Sequence, residues 1–134
     1  MKILITGGAG YLGSIMTPYL LSLGHCVTVL DTLIYGQAPL LDCCANNNFE
    51  FVYGDVRDER VVQPLISKVD CVIPLAALVG APACSRDAVG AKSVNRDAVR
   101  LLAKIRSKSQ RVLFPTTNSG YGIGQEGIAC TEDT

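Results

Sequence analysis

Short apolar runs alternate along this chain with longer stretches in which apolar residues recur at every third or fourth position. Lys2-Ile3-Leu4-Ile5-Thr6, Cys26-Val27-Thr28-Val29-Leu30, Cys71-Val72-Ile73-Pro74-Leu75 and Arg111-Val112-Leu113-Phe114-Pro115 are the runs. Their near-continuous apolar character predicts strands buried on both faces, as in a parallel sheet. Phe49-Glu50-Phe51-Val52-Tyr53 alternates more and predicts a fifth strand. Helical spacing covers about Tyr11 to Leu23, Glu59 to Lys68 and Asp87 to Lys108. In the last, Val94, Ala98, Leu101, Leu102 and Ile105 share one face, and Arg96, Arg100, Lys104 and Lys108 the other. Asp58 is placed to cap the second helix and Gly24 to end the first. Pro18 and Pro64 fall inside helices, where each removes a donor and predicts a kink or an early fray. Leu33 to Asn48, with Gly36, Pro39 and three consecutive asparagines, reads as loop with one short helix. Strands alternating with helices give an α/β fold, a doubly wound parallel sheet of strand order 3-2-1-4-5.

The 134 residues, 49% of them hydrophobic, suit one domain with one substantial core. Twelve basic residues balance twelve acidic ones without a basic cluster, so no nucleic-acid or anionic-membrane partner is expected. A small-molecule ligand fits better. Every apolar run is too short for a membrane span. Strand-like residues begin directly after Met1, which leaves no room for a leader and sets cytoplasmic as the expectation. The six cysteines lack C-x-x-C spacing and accompany a single His, so no metal site is expected. Cys26 and Cys71 are expected to be buried as small hydrophobes, while Cys43-Cys44 receives no role.

Chemistry concentrates in the turn Gly7-Gly8-Ala9-Gly10-Tyr11-Leu12-Gly13. Gly8, Gly10 and Gly13 satisfy G-x-G-x-x-G, and Gly7, Gly10 and Gly13 satisfy G-x-x-G-x-x-G equally well. The turn follows a predicted strand and opens a predicted helix, where backbone N–H groups and the positive end of the helix can hold a pyrophosphate. A glycine-rich turn without a ligand is the plain alternative. Against it stands Asp31, at the end of the second strand and near the spacing expected of a ribose-binding acid. Its carboxylate would accept from ribose hydroxyls and repel a 2′-phosphate, so NAD is expected over NADP.

Thr6 to Gly13, Leu30-Asp31, Gly54-Asp55-Val56, Leu75-Ala76-Ala77 and Thr116-Thr117-Asn118-Ser119-Gly120-Tyr121-Gly122 together resemble the NAD-dependent epimerase/dehydratase family of extended short-chain dehydrogenases, which act on nucleotide sugars. The resemblance implies a Rossmann domain over residues 1–134, with Gly7, Gly10, Tyr11, Leu12, Gly13 and Asp31 on the cofactor. It also implies that Asp55 and Val56 meet the adenine end and that Leu75, Ala76 and Ala77 wall the pyrophosphate and nicotinamide ribose. Capping of an ordinary strand-to-helix turn is the less favoured alternative for Asp55, and core packing is compatible with the wall residues. Thr117 would be the catalytic hydroxyl near the sugar oxygen, Ser119 a second contact, and Asn95 a helix asparagine that organises water; each could also be an ordinary polar residue.

The family's Tyr-x-x-x-Lys pair has no counterpart in this chain. Tyr11, Tyr19, Tyr35, Tyr53 and Tyr121 are followed four residues on by Ile15, Leu23, Pro39, Arg57 and Gln125. The expectation is a truncated fold that lacks the C-terminal substrate portion. It would bind NAD yet be inactive alone, since general acid–base help is worth about 10² to 10⁴-fold. A nucleotide-sugar substrate would need that missing portion. The uncovered fifth strand makes a homo-oligomer possible. A non-catalytic dinucleotide-binding or redox-sensing module is the alternative function, and a scaffold with a vestigial turn the third.

Overall fold

The computed structural model describes residues 1–116 and 131, and its centre is a parallel five-stranded sheet. The strands are β1 (Lys2–Thr6), β2 (Cys26–Asp31), β3 (Phe49–Tyr53), β4 (Cys71–Pro74) and β5 (Arg111–Val112), in the order β3-β2-β1-β4-β5. β1 lies in the middle, with Ile3 opposite Val27 on one side and Cys71 on the other. The chain runs outward from β1 to β3 and then crosses to β4. The C-terminal edge of the sheet at β1 and β4 is therefore the switch point where crevices form in such folds.

Strand alternation divides the apolar residues into two cores. Ile3, Ile5, Val27, Val29, Cys71 and Ile73 form one with Leu21 of α1 (Tyr11–Ser22), with Leu40 and with Cys43 of a short 3₁₀ turn (Leu41–Ala45). Leu4, Leu30 and Val72 face the other way, onto Val62 and Ile66 of α2 (Glu59–Ile66) and onto Ala98 and Leu102. Burial on both faces explains why these strands read as continuous apolar runs. Asp58 caps α2, its side chain accepting from the Arg60 N–H, and Gly24 follows α1 at φ 78.

The expected final helix is broken into pieces. α3 (Ala81–Arg86) and α4 (Ala88–Lys92) meet at Asp87, whose carboxylate caps α4 by accepting from Gly90 N–H at 2.7 Å. A π-helical segment (Ser93–Ala98) then leads into α5 (Val99–Ile105). Neither proline ends its helix at once: α1 continues four residues beyond Pro18 and α2 two beyond Pro64. The second stops at Ile66, short of the expected Lys68.

Two strand expectations need correction. Cys26 is exposed, because it opens β2 at the rim of the sheet, in a groove with Lys2, Asn48, Glu50 and Lys68; Cys71 is buried as expected. β5 ends at Val112 rather than continuing to Pro115. Leu113 N–H still donates to Val72 O at 3.0 Å. In this register the next ladder bond would come from the N–H of residue 74, a proline that has none. No helix among the described residues is long and apolar enough to cross a membrane.

Candidate functional site

Backbone hydrogen bonds lace the C-terminal edge of the sheet together. Gly7 N–H donates to Leu30 O at 2.8 Å, Gly54 N–H to Asp31 O at 3.0 Å and Leu75 N–H to Thr6 O at 2.8 Å. The turns after β1, β2, β3 and β4 are thus set side by side, and these turns carry the residues singled out from sequence.

The glycines of the first turn have different reasons to be glycine. Gly7 adopts φ 71, and a Cβ there would lie 2.5 Å from the Ala76 backbone. A Cβ on Gly13 would lie 2.3 Å from Gly8 O, and one on Gly8 would press the Val29 methyls at 2.8 Å. The fold itself therefore requires these three. Gly10 is different: the nearest atom to its Cβ would be Gly7 O at 3.2 Å, and its φ of −78° suits any residue. Gly10 is the least crowded of the four, although Gly7 O stands closer than an ordinary Cβ contact. Gly10 is also the N-cap of α1, without a side-chain cap or an acidic residue in the first turn. The first amides of a helix have no acceptor within it, so an anion can take that place. Tyr11, 83% exposed, and Leu12 flank this open end.

Asp31 stands beside the turn, half-buried, with both oxygens engaged. Oδ2 accepts from Ala9 N–H at 2.9 Å and Oδ1 from Leu33 N–H at 2.8 Å. Each oxygen retains a further lone pair for a hydroxyl donor. The first bond fastens the glycine turn to the end of β2. The second holds Leu33 at φ 52, a left-handed conformation uncommon outside glycine.

Asp55 has a partner that sequence reasoning missed. Arg57 Nε lies 2.9 Å from Oδ1 and 3.0 Å from Oδ2, Nη2 pairs with Oδ2, and the Arg57 amide donates to Oδ1 at 2.8 Å. These hydrogen bonds hold the Asp55 carboxyl below the usual aspartate range, against the opposing effect of partial burial. The acid-x-Arg spacing in a strand-to-helix turn was the available signal. Val56 is buried with Val62 and Ile66, which anchors the turn. Leu75 and Ala76 pack against opposite cores and Ala77 is exposed, so small side chains line this edge next to Gly7.

Asn95 reaches the same edge from the π-helical segment. Its Oδ1 accepts from Leu78 N–H at 2.9 Å and its Nδ2 donates to Leu78 O at 2.8 Å, fixing the loop that leaves β4. Thr117 and Ser119 lie outside the described residues. No group of three metal-ligating side chains occurs among the described residues.

This arrangement has known relatives. Residues 3–134 match the profile of the NAD-dependent epimerase/dehydratase family. The chain belongs to that family. A UDP-N-acetyl-alpha-D-glucosaminuronate decarboxylase of Bacillus cytotoxicus is 30% identical over 98% of this epimerase/dehydratase-family chain and 41% of its own length. A UDP-glucose 4-epimerase of Halalkalibacterium halodurans is 32% identical over 91% of the chain and 36% of its own. Among solved structures, the Thermus thermophilus UDP-glucose 4-epimerase complex with NAD superposes with a TM-score of 0.83 at 28% identity, over 99% of this chain and 43% of that one. The chain thus spans roughly two fifths of the relatives it matches.

Proposed function

We propose that this chain is the NAD-binding part of a nucleotide-sugar enzyme of the epimerase/dehydratase family. The observation that carries the reading is the helix start at Gly10, which has no side-chain cap, with the Asp31 carboxylate fixed alongside. A dinucleotide offers what those features accept: a pyrophosphate for the amides of Tyr11, Leu12 and Gly13, and ribose hydroxyls for Asp31. Gly10 would let the backbone approach the pyrophosphate, and Gly7 would shape the turn that presents it. Asp55 and Val56 would hold the adenine end, and Leu75, Ala76 and Ala77 the wall beneath the pyrophosphate and nicotinamide ribose. Asp31 disfavours a 2′-phosphate by charge.

Bound NAD would supply a hydride acceptor for a sugar carbon, and Thr117 would donate a hydrogen bond to the sugar oxygen. No Tyr-x-x-x-Lys pair occurs in these 134 residues, so binding is what they are proposed to do by themselves. Epimerase, dehydratase and decarboxylase chemistries are all named among the relatives, and they can share this binding half. We place the protein in the cytoplasm, with a nucleotide sugar as the substrate of the whole enzyme.

Calorimetric titration of the chain with NAD and NADP tests the proposal. Saturable binding of NAD, with NADP at least about tenfold weaker, is expected from repulsion at Asp31. No heat and no thermal shift at millimolar NAD would remove it.

A further inference from the structure

The charges of this chain balance overall but not locally. Residues 92–111 hold seven of its twelve basic residues and one of its twelve acidic ones, Asp97. Lys92, Arg96, Arg100 and Lys104 recur at every fourth position from the end of α4, through the π-helical segment, into α5. All four are exposed. The opposite side of the same column carries Ala98 and Leu102 into the core, so the cations lie on its outer face. In uniform α winding each four-residue step drifts by about 40° round the axis. The wider π winding turns back part of that drift and keeps the four in one stripe.

Of the four, Arg96 alone pairs with a carboxylate among the described residues. Its Nε donates to Asp97 Oδ1 at 2.7 Å. Lys92, Arg100 and Lys104 reach no carboxylate at ion-pair distance among the described residues. The Asp97 carboxyl is held below the usual aspartate range by the hydrogen bond from Arg96 first, then also by the charges of Arg100 and Lys92. One carboxylate thus stands amid three cations, and the stripe keeps an excess of positive charge. Like charges four residues apart repel along a helix, and carboxylates from outside would relieve that repulsion.

The make-up of the stretch narrows the partner. Residues 92–111 contain no aromatic side chain on which bases could stack, and Ala103 is the one apolar residue they expose, which gives a lipid surface nothing to bury. Outside them the chain has five basic residues against eleven acidic, so a long polyanion such as duplex nucleic acid would be repelled by the rest. A short acidic segment touches the stripe alone. Its spacing also fits: four helical residues rise about 6 Å, and alternate residues of an extended peptide repeat at about 6.6 Å. We propose that Lys92, Arg96, Arg100 and Lys104 form a docking stripe for an extended acidic segment of a partner protein, with carboxylates at alternate positions.

The test is fluorescence anisotropy of a labelled peptide of alternating Asp and Ser, long enough to span the stripe's roughly 18 Å, titrated with the chain. Saturable binding that weakens as salt rises is expected, because exposed charges are screened. Arg100→Glu together with Lys104→Glu should weaken it by about tenfold or more. Lys68→Glu, which reverses an exposed lysine in the groove at the rim of the sheet, should change it by less than about twofold. Arg100→Gln with Lys104→Gln should weaken it by about fourfold without loss of thermal stability, since it removes repulsion from the helix, and covers the case in which charge reversal fails to fold. Equal weakening by Lys68→Glu would reduce the effect to net charge and overturn the stripe, as would absence of binding at low salt. Tighter binding of a labelled DNA duplex or of phosphatidylserine vesicles would overturn the choice of an acidic polypeptide. Self-association that the double reversal abolishes, with no response to the peptide, would make a second copy the occupant instead.

Discussion

At Asp31 a ligand contact and a structural latch share one side chain. Its two oxygens hold amides from Ala9 and Leu33, so any change there acts on the protein before a cofactor arrives. Asp31→Asn keeps one acceptor and presents an NH₂ to the other amide. We expect a loss of about 1–2 kcal/mol in thermal or urea unfolding, since a hydrogen bond to a charged group is replaced by opposed donors. NAD affinity should fall and the preference against NADP should shrink in the same variant, both readable by titration. A variant of unchanged stability would show that the latch carries no weight. Sequence spacing identified Asp31 but could not reveal its amide partners, because those depend on how two turns meet in space.

Among elements, the glycine turn separates fold from function. Gly7→Ala meets the Ala76 backbone and a positive φ, and should cost about 3 kcal/mol in unfolding. Gly10→Ala meets only Gly7 O, at 3.2 Å, so it should cost clearly less stability than Gly7→Ala while lowering NAD affinity by about tenfold or more. Equal stability losses in the two variants would refute the division. The motif as a pattern was legible because spacing alone defines it. Which glycine serves the ligand was not, since the answer lies in Val29 and Ala76, tens of residues away. Strands β1 to β4 were legible from their apolar runs for the same local reason. The last helix was less so: Asp87 caps α4 by a side-chain bond that competes with helix continuation, and the π-helical segment has no periodic signature. Pro74 was visible in the sequence, but its effect on β5 appears only once the register between the two strands is known.

At the scale of the whole sheet, the strands among the described residues end at β3 on one flank and at β5 on the other. β5 pairs with β4 on one side and has no strand partner on the other among the described residues. Leu113 and Phe114 beyond it are more than half exposed. Unpaired apolar edges recruit other strands. The chain should self-associate as its concentration rises in light scattering, and Val112→Lys, which charges the edge, should shift it toward monomer. A clean monomer across the series would sink this expectation. The overall topology was legible because alternating strands and helices leave few ways to wind a parallel sheet.

The π-helical segment carries a consequence for how this region tolerates change in length. A π turn holds one residue more than an α turn, so Ser93–Ala98 behaves as a single-residue insertion within an otherwise ordinary helix. Removing one residue there would restore regular winding and rotate α4 by about 100° relative to α5. Leu102 could then keep its place in the core, or Asn95 its double bond to Leu78, but the two could no longer hold together.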